Sequence, residues 1–150
     1  MAENDWMWEW VETPTDFGCL AGLPLQEVGA LQVISYGDST PVVLIKAGGQ
    51  WFAQTHRQDC CELVEPVDPP SLASSTRGAI IRHAEERTEA TETGSSSETW
   101  TFYEVRTDAE DFTIRWVGRS NGYYSERVDF RAAPDGWEPP AGLVSWFADG

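Results

Sequence analysis

Thr99-Trp100-Thr101-Phe102-Tyr103-Glu104-Val105, followed by Phe112-Thr113-Ile114-Arg115-Trp116 and Gly118-Arg119-Ser120-Asn121-Gly122, decides the fold class. A strand sends successive side chains to opposite faces. In the first run Trp100 and Phe102 therefore share one face, and Tyr103 and Val105 the other. Apolar residues on both faces mark a central strand. In the second run Phe112, Ile114 and Trp116 alternate with Thr113 and Arg115, the pattern of a strand with one buried face. Asn-Gly is the strongest short-range hairpin signal, so the chain is expected to reverse at Asn121-Gly122 and return through Tyr124, Val128 and Phe130. The pieces read as an antiparallel meander.

Working outward, the first half repeats the manner. Leu31 to Tyr36 ends at Gly37-Asp38-Ser39, Val42 to Ile45 ends at Gly48-Gly49, and Gln50 to Thr55 follows. These are short β-branched and aromatic runs between turn signals. Pro69-Pro70 breaks the chain, and Ser71 to Ser75 admits at most a short helical turn. Ala79 to Thr88 reads as a weaker strand. Glu89 to Ser97, with Gly94 and three serines, reads as a flexible polar loop. The expected fold is β-rich α+β: mainly antiparallel sheet in a meander of hairpins, with at most one or two short helices. At 150 residues the chain has the size of one domain. It divides into an acidic, Trp-rich extension (1–28) packed on or near the domain, a β-rich core (29–133), and a tail (134–150) whose Leu143, Trp146 and Phe147 fold back on the core.

The charge is the dominant global feature: 25 acids against 10 bases, net −15. Such a surface repels a nucleic-acid backbone, so direct nucleic-acid binding is not expected. The excess serves either solubility or mimicry of a polyanion. The first thirty residues hold six acids and no Lys or Arg, with Trp6, Trp8 and Trp10 on one side of a strand. That edge either packs on the domain or docks a partner, since Trp is enriched at binding hot spots. No run approaches the roughly 18 apolar residues of a membrane-spanning helix. The acidic N-terminus lacks the basic start of an export signal, and three cysteines fit a reducing interior. A cytoplasmic location is expected, with no membrane partner.

Two constellations carry chemically capable groups. His56, Asp59, Cys60, Cys61 and Glu62 place five of them within seven residues. One reading is a cysteine nucleophile with His56 as base and Asp59 or Glu62 orienting it. The structural alternative buries one cysteine as a small hydrophobe while Asp59 or Glu62 caps a turn. No metal site is expected: neighbouring side chains in extended backbone diverge, and His83 adds only one distant ligand. A disulfide between neighbours would require a strained turn. In Ser120-Asn121-Gly122-Tyr123-Tyr124-Ser125 the amide, two tyrosines and two hydroxyls either make a turn or present hydrogen-bonding groups at a hairpin mouth. Arg115, Arg127 and Arg131 would form a basic stripe on the outward face, held by cross-strand pairs or open as an anion site.

Three segments, His56-Arg57-Gln58-Asp59-Cys60-Cys61-Glu62, Glu98-Thr99-Trp100-Thr101-Phe102-Tyr103 and Ile114 to Ser125, taken in order and spacing, resemble a family of small domains of unknown function found mostly in bacteriophage genomes and prophages. The resemblance covers roughly residues 29 to 131. It implies phage origin and, from that, the cytoplasm of an infected bacterial host; it assigns no activity.

The function expected is an accessory binding protein that blocks or sequesters a host protein, such as a basic nucleic-acid-handling or defence component, through an acidic surface. Partner-contact candidates are Trp6, Trp8, Trp10, Asn121, Tyr123, Tyr124, Arg115 and Arg127. The sequence leaves enzyme activity open while leaning against it, and no cofactor is expected. The alternatives are a small-molecule or nucleotide-binding protein or cysteine-dependent enzyme centred on His56, Cys60, Cys61 and the Tyr123-Tyr124 hairpin, and a minor virion component.

Overall fold

The structure is a computed structural model that describes residues 15–35, 38–58 and 60–148. Trp6, Trp8, Trp10, Tyr36 and Asp59 therefore lie outside the described residues. The described residues form eleven strands in order: β1 (Leu25–Ser35), β2 (Asp38–Ala47), β3 (Gln50–Thr55), β4 (Leu63–Val67), β5 (Leu72–Ala73), β6 (Ile81–Thr93), β7 (Ser96–Thr107), β8 (Asp111–Ser120), β9 (Asp129–Ala132), β10 (Val144–Ser145) and β11 (Phe147–Ala148). Among the described residues the helical content is two 3-10 turns, Phe17–Leu20 and Ser74–Thr76. No helix of the described residues is long and apolar enough to cross a membrane.

The strands form a five-stranded antiparallel sheet, β10-β1-β2-β3-β9, and a four-stranded antiparallel sheet, β4-β8-β7-β6. β5 and β11 add a short parallel pair. Alternation explains the packing. Val28, Val43, Ile45, Phe52 and Phe130 of the first sheet meet Tyr103, Val105, Ile114 and Trp116 of the second in one core. Phe52 and Phe130 stack at 5.4 Å between centroids, and Phe17 packs on Phe130 edge-on at 4.9 Å. The opposite parity of the first sheet (Leu31, Val33, Val42, Leu44, Trp51) forms a second apolar layer, against which Trp137 and Leu143 of the tail pack.

Gly29 is required where the tail crosses β1, because a Cβ there would overlap the Val144 carbonyl oxygen. Phe17, Leu20 and Leu25 are all buried, so the core draws on residues ahead of position 29.

β7 is central, as its two-faced apolar pattern requires. Two local expectations are corrected. Glu89 to Ser97 is not a loop: β6 continues to Thr93 and pairs β7 from Glu89↔Trp100 to Thr93↔Ser96. The turn is Gly94-Ser95, with Gly94 at φ +61°, the position glycine takes in a two-residue hairpin. This hairpin end is solvated on β6 throughout, so it shows no apolar period, and only its β-branched threonines betray the strand.

The second correction concerns Asn121-Gly122, which closes no hairpin onto β8. The chain leaves the second sheet there and β9 pairs β3 in the first. The Asn121 side chain accepts the Tyr123 amide at 2.9 Å, a local reversal that turns the chain across rather than back.

Candidate functional site

The crossover 121–128 brings the sequence motifs together. His56 follows β3 on its core-facing parity and is 3% exposed. Its Nδ1 donates to the Arg127 carbonyl oxygen at 2.7 Å, and its Nε2 lies 2.8 Å from Glu62 Oε2. A carbonyl only accepts, so Nδ1 carries a hydrogen, and Nε2 is left facing the carboxylate. Glu62, 3% exposed, uses its other oxygen to accept the Cys60 amide at 2.9 Å. Gln58 Nε2 donates to the Glu62 carbonyl at 2.6 Å and to the Cys60 carbonyl at 3.0 Å. Glu62 thus caps the turn, as one reading of the sequence held.

The cysteines depart from expectation. Neither fills the core: Cys60 and Cys61 are exposed and joined to each other as a disulfide, and Cys19 is an exposed free thiol. His83 sits on β6, across the second sheet from the β4 edge, and pairs with Glu85 at 3.1 Å. A groove of about 560 Å³ runs between the ends of β1 and β2 and the free edge of β4, past Gln58, Cys60 and Leu63.

A second buried carboxylate clamps the crossover. Glu126 Oε1 accepts the Thr99 hydroxyl at 2.7 Å and the Ser97 hydroxyl at 3.3 Å, and Oε2 accepts the Ser120 hydroxyl. Gly118 makes room for it, since a Cβ there would meet Glu126 Cβ at 2.7 Å. Along the inner face of β7, Val105 and Tyr103 lie in the core, whereas Thr101, Thr99 and Ser97 line a hollow of about 420 Å³ under the crossover. Outside the clamp, Tyr123 is 82% exposed and packs edge-on against Tyr124 at 5.0 Å.

The arginines do not form one stripe. Arg115 is on the outer face of the second sheet, opposite Phe102 and Val67 in register. Arg127 belongs to the crossover and Arg131 to β9, and both reach Asp129, at 3.3 and 3.7 Å. They are separated because β9 joins the other sheet. On that outer face Trp100 and Phe102 stack at 6.0 Å and Arg87 lies 4.6 Å over Phe102.

Sequence reasoning missed Glu86 and the setting of Tyr103. Glu86 sits opposite Tyr103 in register, on the inner face beside Ala84. A carboxylate at core parity on β6 was the available signal. Burial, foremost, pushes the Glu86 carboxyl above the ordinary carboxylate range.

A family model described as a domain of unknown function, DUF7448, matches residues 28–130. The chain belongs to this family. No curated protein and no solved structure matches it. The DUF7448 span holds His56, Glu62, Glu86, Tyr103 and Glu126, hence both clamps, and it leaves Phe17, Leu20 and the tail outside.

Proposed function

We propose that this is a phage-encoded accessory binding protein that blocks or sequesters a basic host factor through its acidic surface. The observation that carries the reading is the employment of His56: both ring nitrogens are engaged in a buried site, one by a carbonyl and one by a carboxylate. A general base must reach the proton it abstracts, and this imidazole faces inward. The motif residues thereby hold shape, fixing the loop that carries Tyr123 and the start of β4, where Leu63 is exposed. Net charge −15 selects a partner of opposite sign. Phage origin rests on the motif resemblance, and the cytoplasm of the infected host follows from it.

The test is capture from host lysate at low and high salt, followed by measurement with the identified, purified partner. The reading expects a basic protein whose affinity falls steeply with salt and is unchanged by Cys60→Ser/Cys61→Ser. A partner whose affinity ignores salt, or is lost only in the serine variant, overturns it and moves attention to the groove beside Cys60.

A further inference from the structure

We propose that Cys60 and Cys61 are a thiol–disulfide exchange site, opened by a low-molecular-weight thiol and closed again by the corresponding disulfide. The site lies on the wall of the groove beside β4, and its redox state is written into that wall. It stands apart from the acidic surface proposed above, so its failure would leave that surface untouched.

The two cysteines are bonded to each other, and both are exposed. The bond joins neighbours, so it hardly constrains the unfolded chain and stabilisation does not account for it. An exposed disulfide with so little structural duty belongs to the labile class that thiols open. Cys60 lines the groove of about 560 Å³ together with Gln58, Glu62 and Leu63, which gives a small thiol its approach.

The backbone around the pair is held without the sulfur bond. The Cys60 amide donates to Glu62 Oε1 at 2.9 Å, and the Cys60 carbonyl accepts Gln58 Nε2 at 3.0 Å. Glu62 is itself buried, with its other oxygen 2.8 Å from His56 Nε2. The anchor of the turn is therefore internal and outlasts opening of the bond. Two thiols released on such a turn stay side by side, and closure is an intramolecular step.

Cys19 is no partner for them. It sits in the 3-10 turn Phe17–Leu20, which packs on β6, the edge of the second sheet opposite β4. Burial and then the Asp16 carboxylate push its thiol above the ordinary range, away from the reactive thiolate. The pair supplies both the attacked sulfur and the resolving one.

The exchange consumes two thiol molecules. A thiolate bonds to one sulfur of the pair, and the Cys60–Cys61 bond breaks with its electrons on the other sulfur, which takes a proton. A second thiolate attacks the incoming sulfur of this mixed disulfide and displaces the remaining cysteine, which is protonated in turn. The pair gains two electrons and two protons, and the two thiols leave as one disulfide. The reverse sequence closes the pair.

The experiment equilibrates the full chain with reduced and oxidised glutathione in varied ratio, traps thiols with excess N-ethylmaleimide and maps the labels by mass spectrometry. Of the three cysteines, only Cys19 should be labelled at the oxidising end and all of them at the reducing end, along one curve reached from either side. Amides of Gln58, Glu62 and Leu63 should shift between the two forms, while those of Trp116 and Phe130 stay in place. In Cys61→Ser the resolving sulfur is gone, so oxidised glutathione should leave a lasting adduct on Cys60. Gln58→Ala loosens the turn and should make the pair about fivefold easier to reduce, the size of one net hydrogen bond.

Three labelled cysteines at every ratio would show that no bond forms, and a single label in excess reduced glutathione would show that thiols do not open it. Either result overturns the site, as would label loss traced to a dimer linked through Cys19. Unmoved amides at Glu62 and Leu63 would overturn the coupling to the groove.

Discussion

His56 and Arg127, 71 residues apart in sequence, are joined by a 2.7 Å hydrogen bond from the imidazole to the backbone carbonyl. The bond ties the end of β3 to the crossover between the sheets. Through Glu62 the same ring also fixes the loop that carries Cys60 and Cys61. Two motifs distant in sequence are thus one mechanical unit.

Removing one partner of a buried pair leaves the other uncompensated, a loss of about 3–5 kcal/mol. His56→Ala is therefore expected to lower the melting temperature by roughly 10 °C, using the scaling for a chain of this size. Thermal and urea denaturation check it. A shift below about 2 °C would mean that the pair contributes little.

Gly118→Ala places a methyl against Glu126, at 2.7 Å from its Cβ. Overpacking of this kind costs about 1–3 kcal/mol and displaces the weaker element, here the crossover. Limited proteolysis after Tyr123 should accelerate in this variant, and the second-sheet amides should remain protected. Unchanged cleavage would show that Glu126 does not hold the loop.

Cys60→Ser/Cys61→Ser is expected to leave stability nearly unchanged. A cross-link between adjacent residues closes the smallest possible loop and hardly constrains the unfolded chain. The capping hydrogen bond to Glu62 comes from the Cys60 backbone and survives the change. A melting-temperature loss above about 5 °C would contradict this.

Glu86 gives a pH signature whose sign is fixed by its raised ionisation. The folded state holds this proton more tightly than the unfolded chain. The residue's contribution to stability therefore falls as pH rises from about 4.5 through the raised folded value. Glu86→Gln should melt higher than wild type at pH 7, with the difference vanishing near pH 4. Glu98 has the opposite profile: the Trp100 indole and the Arg119 guanidinium hold its carboxyl down, so its contribution is lost on acidification. Melting curves of both variants across pH separate the two.

Much of the fold was legible because alternation is a strong signal wherever one face is buried. Phe112, Ile114 and Trp116 announce β8, and the two-faced run from Trp100 to Val105 announces a central strand. The same signal fails where neither face is buried, which is why Glu89 to Thr93 looked like a loop. It is also blind to pairing: Asn121-Gly122 marks a reversal in either case, and only the stacking of Phe130 on Phe52 decides which sheet β9 joins. The site was half visible. His56 and Glu62 stood out as reactive types, yet their inward direction depends on the β3 parity and on a carbonyl 71 residues away. Glu86 was hidden among the many acids of the chain, and its distinction is register alone.

The first sheet is assembled from distant parts of the chain: β1 to β3 from its first half, β9 and β10 from its last third. On the ribosome β3 waits with an open edge until Asp129 to Ala132 have been made. The core residues Tyr103, Ile114 and Trp116 likewise arrive before Phe130. Such long-range closure favours slow, late folding of the whole chain over stepwise growth. A nascent chain stopped short of β9 would expose an unpaired edge, and its fate would be aggregation or proteolysis instead of a smaller active domain.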